Sequence, residues 1–206
     1  MLLLKIIANQ LAHPRGILSN PAAMFMNRVT SPINNMTIHM LEIKPTDCVL
    51  DIGFGGGSAI KKITKLMPEG LIAGIDISEA MLKRGNKNFK KLISQGKINL
   101  KEGSASKIPY ANDYFDKVYT VNTIYFWSDP LKDSREVFRV MKEGGKFIIT
   151  YFTKEIFHFT RYGFTLYEEQ QLHDLLEIAE FEDIRVNYRE HPRFPTAFII
   201  ATKPKK

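Results

Sequence analysis

Glycine recurs at short intervals in Val49-Leu-Asp-Ile-Gly-Phe-Gly-Gly-Gly57, directly after an apolar run and directly before a helical pattern. Gly53 and Gly55 permit a tight strand-to-helix turn, and their missing side chains let a ligand lie against backbone amides at a helix N-terminus. Asp76 stands 23 residues after Gly53, at the end of the next apolar run. A carboxylate there can accept hydrogen bonds from both hydroxyls of a ribose. Capping the helix ahead of Ser78 is the competing role for Asp76. Dinucleotide-binding proteins share this arrangement, but their glycine fingerprint needs glycine or alanine at position 58, which is Ser58 here. The chain also contains no Tyr-x-x-x-Lys pair and no second substrate domain after the first. A nicotinamide dinucleotide is therefore disfavoured.

Such a loop works only at the carboxyl ends of parallel strands, and the surrounding pattern provides them. From Asp47 onward, short β-branched runs alternate with helical stretches, as expected for a parallel sheet covered on both faces. Strands are expected at 48–52, 71–75, 98–101, 117–121 and 146–151. Between them fall helices carrying Ala59, Ile60, Ile63, Leu66 and Met67, then Met81, Leu82, Phe89, Leu92 and Ile93, then Val137, Phe138 and Met141. Glu143-Gly144-Gly145 reads as the turn before the fifth strand. A helix over 167–179 and a hairpin of 184–188 with 197–202 close the sheet edge. The expected fold is α/β: a doubly wound, seven-stranded, mostly parallel sheet. Residues 46–206 would form this domain. Residues 1–45 break the rhythm at His13-Pro14-Arg15-Gly16, Asn20-Pro21 and Ser31-Pro32, and are expected to form a helical N-terminal cap.

At 206 residues, 44% hydrophobic and 25% charged, the chain suits a single globular core with little disorder. The lone Cys48 excludes an internal disulfide framework and a thiolate zinc cluster, and points to a reduced, cytoplasmic setting. His39, His173 and His191 are scattered, so no metal site is expected. Lys5 interrupts the apolar start and no basic region precedes it, which argues for a helix rather than a signal peptide. No apolar run reaches the roughly 18 residues of a membrane span. The net charge of +7 raises the question of an anionic partner. Its lysines are dispersed over several outer helix faces, so nucleic-acid binding is not expected.

The sequence resembles the small bacterial class I S-adenosylmethionine-dependent methyltransferases of the broad type 11 group. The resemblance rests on the glycine loop, Gly74-Ile-Asp-Ile-Ser78, Gly103-Ser-Ala105, Ile108-Pro109, Tyr114-Phe-Asp116 and Val140-Met-Lys-Glu-Gly-Gly-Lys-Phe147. It implies a Rossmann-like methyltransferase fold with S-adenosyl-L-methionine as cofactor. Asp51, Gly53, Gly55 and Gly57 would surround its methionine part, and Asp76 would hold the ribose with Ile77 against the adenine. Ser104 and Ala105 would lie at the adenine edge, where many relatives carry aspartate in place of Ser104.

Methyl transfer is an in-line displacement, so the protein mostly orients and desolvates. The acceptor should approach past the end of the fourth strand, at Asn122-Thr-Ile-Tyr-Phe-Trp127. Asn122 and Tyr125 are the candidate catalytic residues, with Trp127 as a wall; packing is the alternative role for the aromatics. The spacing lacks both prolines of the Asn/Asp-Pro-Pro-Tyr motif of amino-group nucleic-acid methyltransferases. Phe152, Phe157, Phe159, Tyr162, Phe164 and Tyr167 crowd the long connection after the fifth strand, near His158. This connection and residues 1–45 are expected to close over the site. The expected acceptor is a small, partly apolar molecule. RNA or protein methylation by the basic surface, and non-catalytic binding of S-adenosylmethionine as a regulatory module, are the alternatives.

Overall fold

The computed structural model describes residues 19–153, 165–192 and 194–205. Among these, α1 (Ser19–Leu41) leads into β1 (Cys48–Ile52), α2 (Ser58–Ile63), β2 (Leu71–Asp76), α3 (Glu79–Asn88), α4 (Lys90–Ser94) and β3 (Ile98–Glu102). There follow β4 (Phe115–Val121), α5 (Pro130–Val140), β5 (Met141–Phe152), α6 (Glu169–Ile178), β6 (Glu182–Arg189) and β7 (Thr196–Thr202).

The strands form one seven-stranded sheet in the order β3-β2-β1-β4-β5-β7-β6. β1 to β5 are mutually parallel where they pair, and β7 runs antiparallel to both β5 and β6. The chain winds outward from β1 to β3, then crosses back to β4. β1 and β4 therefore flank the point where strand order reverses, and a crevice opens there at their carboxyl ends.

Two apolar layers explain why the strands read as nearly continuous hydrophobic runs. On one face, Val49, Tyr119 and Ile148 pack with Ile38 and Leu41 of α1, Ile60 and Ile63 of α2, and Met81 of α3. On the other, Leu50, Val118, Phe147 and Ile149 pack with Val137 and Val140 of α5 and with Leu172 and Leu176 of α6.

Three local expectations are corrected. The break at Ser31-Pro32 does not occur, because α1 runs unbroken through Pro32. A helix-interior proline costs about 3 kcal/mol. Burial of Ile33, Ile38 and Leu41, with the Thr37 hydroxyl bonded to that of Thr150 at 2.8 Å, offsets that cost. Asn20-Pro21 lies in the first turn of the same helix, where a missing N–H is tolerated. Second, Glu143-Gly144-Gly145 lies inside β5 and does not precede it. The strand begins at Met141, opposite Phe115, and the register then jumps so that Lys146 opposes Lys117. The extra residues form a wide bulge, with Gly144 at φ +71° accepting the strained turn. Third, the α2 stripe ends early: the helix stops at Ile63, Met67 is buried from the following turn, and Leu66 is 49% exposed. The break at His13-Pro14-Arg15-Gly16 lies outside the described residues.

Candidate active site

A cavity of about 410 Å³ sits at the crevice, over the carboxyl ends of β1, β2, β3 and β4. Its floor is the β1–α2 loop. Gly53, Gly55 and Gly57 all have positive φ, of 75°, 50° and 72°, a conformation that side chains resist. A Cβ on Gly53 would come within 2.5 Å of Thr123 Cγ2, so the loop lies hard against the segment after β4. Gly55 has open space where its Cβ would stand. Gly53 and Gly55 line the cavity; Gly57 does not. It instead starts α2, with the Phe89 ring 2.7 Å from where its Cβ would be.

Asp76 closes β2 and is buried at the cavity wall. Its two carboxylate oxygens accept N–H bonds from Gly55 at 2.9 Å and Ser78 at 2.8 Å. The carboxylate fixes the loop and the start of α3. Ile77 beside it is 49% exposed and lines the cavity as an apolar face. Ser104 and Ala105 line the same end, in a tight turn where the Lys107 amide bonds the Ser104 carbonyl at 3.1 Å.

Asp51 is buried at the end of β1 and lines the cavity. Burial pushes its carboxyl up to about 7; the hydroxyl of Tyr119, donating at 2.6 Å, favours the ionised form, and nearby Asp76 opposes it. Tyr119 also lines the cavity, and sequence reasoning passed over it. Its position in a strand of apolar residues reads as core, and only the pairing of β1 with β4, which sets Asp51 against Tyr119, brings the two together.

At the other end, Asn122 sits at φ +57°, a left-handed conformation that asparagine tolerates and that turns the chain off β4. It lines the cavity, and its buried Nδ2 has no hydrogen-bond partner among the described residues. Tyr125 does not line the cavity. It is buried behind Asn122, with its hydroxyl 3.2 Å from Asn122 Oδ1 and accepting the Phe152 amide at 2.6 Å. Burial raises its phenol far above the ordinary value, so it stays neutral. The structure therefore separates the two candidate catalytic residues: Asn122 faces the cavity, and Tyr125 positions it. Phe126 and Trp127 form the wall, and Trp127 Nε1 donates to Thr123 Oγ1 at 3.3 Å.

α1 adds two cavity residues that sequence reasoning did not single out, Thr30 and Asn34. Asn34 Nδ2 donates to Ser58 Oγ at 3.3 Å. The aromatics Phe157, Phe159, Tyr162 and Phe164, with His158, lie outside the described residues. So does the apolar start around Lys5.

The residues present fit S-adenosylmethionine. Asp76 with its two N–H partners, the exposed Ile77 and the buried Asp51 line one cavity, side chains whose chemistry could meet a ribose, a base and a cation. Among the described residues, no helix is long and apolar enough to cross a membrane.

Comparison with known proteins agrees with this geometry. Residues 50–149 match the model of the methyltransferase domain family. The chain is 34% identical over 129 residues to the uncharacterized methyltransferase YdaC of Bacillus subtilis, covering 63% of this chain and 69% of that protein. It is 30% identical over 125 residues to the demethylmenaquinone methyltransferase of Symbiobacterium thermophilum, covering 60% of this chain and 50% of that one. The match thus spans half the length of that quinone-related protein. Among solved structures, a Haemonchus contortus phosphoethanolamine N-methyltransferase, in complex with S-adenosylhomocysteine and phosphomonomethylethanolamine, superposes with a TM-score of 0.73. It has 18% identity and covers 84% of this chain and 53% of that one, a likeness of fold.

Proposed function

The chain belongs to the methyltransferase domain family and is an S-adenosylmethionine-dependent methyltransferase; from that premise we propose that its acceptor is a small, partly apolar molecule without negative charge. One observation carries this reading. The described cavity lining contains Asp51, Asp76 and Asp133 but no lysine, arginine or histidine. A phosphate or carboxylate on the acceptor would find no cation in the described lining to pair with it, at a desolvation cost in a poorly solvated site. The acceptor wall is instead apolar and aromatic, formed by Val121, Phe126 and Trp127. A partly apolar acceptor would bury its ring or chain there at about 25 cal/mol per Å².

When bound, the cofactor supplies an electrophilic methyl group on its sulfonium. The residues of this chain orient and desolvate. Asp76 takes the ribose hydroxyls, and Asp51 balances the cofactor's positive charge. Among the described residues that line the cavity, Asn122 offers a buried side-chain donor left unpaired. Its Nδ2 would bond an oxygen or nitrogen lone pair of the acceptor and hold the nucleophile in line. Tyr125 keeps the amide oxygen engaged so that the nitrogen faces the cavity.

The basic net charge does not favour the RNA or protein reading, because no cationic side chain lines the described cavity. The test is formation of S-adenosylhomocysteine by the purified protein against a panel of neutral ring compounds, reduced quinones among them, beside carboxylated and phosphorylated analogues and mixed RNA. Turnover is expected with neutral acceptors. Turnover confined to the anionic compounds or to RNA would overturn the proposal.

A further inference from the structure

Asp133 lies in the first turn of α5, where an acid reads as routine helix-terminal chemistry. The structure gives it a different setting. It is 1% exposed, it lines the cavity, and its Oδ1 has no hydrogen-bond partner among the described residues. Burial pushes its carboxyl above the ordinary value, against the pull of a hydrogen bond from the Ser106 side chain.

Its neighbours locate it within the cavity. Asp133, Glu136 and Arg139 recur every three residues along one face of α5, and all three hold the segment after β3. Ser106 bonds Asp133, the Ile108 amide donates to Glu136 Oε1 at 2.9 Å, and Arg139 donates to the Ile108 and Tyr110 carbonyls at 3.1 and 3.0 Å. The clamp fixes Asp133 beside the turn that carries Ser104 and Ala105. A ribose on Asp76, with its methionine directed toward β1 and β4, must send its base toward that turn. The β3 loop is the neighbour of Asp76 on the opposite side, and the Gly103 amide bonds the Asp76 carbonyl at 3.3 Å. Ile77 and Ala105 offer the base apolar surface there. Ser104 offers only a neutral hydroxyl.

We propose that Asp133 is the residue that selects adenine, its carboxylate accepting a hydrogen bond from the exocyclic amino group of the base. A purine with an oxygen in that place would set two acceptors against each other. An acceptor left unpaired in a buried wall is the usual source of strong discrimination between such isosteres. The clamp alone accounts for one carboxylate oxygen of Asp133, and the base edge accounts for the other.

The proposal rests on the cofactor assignment, and the experiment separates the two. Calorimetric titration compares S-adenosylhomocysteine with S-inosylhomocysteine, which differs only in carrying oxygen for the amino group and its ring-proton consequence. Wild-type protein is expected to favour the adenosine compound by about 10- to 100-fold, the worth of one hydrogen bond to a charged group. In Asp133→Asn the amide can donate to the inosine oxygen, so the ratio should fall to near unity or reverse. Because a ratio is read, partial loss of folded protein does not distort it. Ser106→Ala, which loosens the carboxylate without removing it, should lower the ratio by a smaller factor and serves where the asparagine variant fails to fold. Equal wild-type affinities, or a ratio unchanged in the folded variants, would overturn the role of Asp133 while leaving the cofactor assignment intact. Failure of both compounds to bind would overturn both.

Discussion

The two ends of the cavity are built by different means. Around Asp76 the wall is made largely by backbone: two N–H groups on one carboxylate, two positive-φ glycines, and a tight turn at Ser104. Around Asn122 it is made by side chains, with Phe126 and Trp127 from beyond β4, and α1 adds Thr30 and Asn34 to the lining. The first end is specified by a few local residues whose types are nearly forced. The second depends on tertiary packing and tolerates many residue types. A cofactor common to a family suits the first kind of construction, and an acceptor that differs among members suits the second.

Gly53→Ala should break this division most severely, because Gly53 touches both ends. Its new Cβ would strike Thr123, and φ +75° would be strained besides. We expect a loss of about 3 kcal/mol in stability, summing a left-handed penalty and overpacking, with cofactor binding and turnover lost together. Chemical denaturation and calorimetry check it; a variant that keeps normal cofactor affinity would show the two ends to be independent.

Asp76→Ala comes next. It should weaken S-adenosylhomocysteine binding by about 2–3 kcal/mol, since a charged acceptor of two hydroxyls disappears. The Gly55 and Ser78 amides also lose their partner, so part of the loss comes from loop order. Unchanged affinity in a correctly folded variant would mean that Asp76 serves the loop and helix start alone.

The Asp51 carboxyl makes the cofactor end sensitive to pH. Its value in the folded, ligand-free protein is raised to about 7, above that of an unfolded aspartate, so it favours the fold at low pH and loses that contribution as pH rises through about 7. A cationic ligand prefers the ionised form. Affinity for S-adenosylmethionine should therefore rise with pH, by at most about tenfold per unit below 7, and level off above it. Tyr119→Phe removes the bond that favours ionisation and should move this midpoint upward. A flat profile between pH 5.5 and 8 would show that Asp51 is already ionised without ligand.

The smallest effect is expected at the acceptor end. Trp127→Phe keeps the apolar wall and removes the indole bond to Thr123, a loss of about 1 kcal/mol or less. Cofactor affinity should hold while KM for the acceptor changes. A cofactor defect of equal size would mean that Trp127 belongs to both ends.

The same contrast decides what could be read from sequence. The strand–glycine–acid pattern marked Gly53, Gly55 and Asp76 because the backbone there demands particular residues, the family resemblance added Asp51, and the alternation of runs exposed the sheet. Gly57 carries the same signal for a different reason, the approach of Phe89. Tyr119, Asp133, Thr30 and Asn34 were not legible. Each sits in a segment whose local pattern is complete without it: a strand interior, a helix first turn, one face of a long helix. Only the pairing of β4 with β1, the clamp of α5 on the β3 loop and the packing of α1 bring them to the cavity. Pro32 misled in the opposite direction, since the burial that overrides its local preference is supplied by strands that follow more than 100 residues later.

The insertion of β7 between β5 and β6 also bears on how the molecule is made. A ribosome delivers β5 and β6 before β7, yet neither can take its final partner until β7 arrives. Throughout that interval the 12-residue β5, carrying Phe147, Ile148, Ile149 and Tyr151, presents an unpaired apolar edge, the surface most prone to recruit strands from other nascent chains. Lys203, which bonds Asp113 and the carbonyls of Phe138 and Met141, then fastens the late strand to parts of the chain finished long before. A premature stop shortly before Thr196 would thus do more harm than its few missing residues suggest, leaving a nearly finished nucleotide site attached to an adhesive strand.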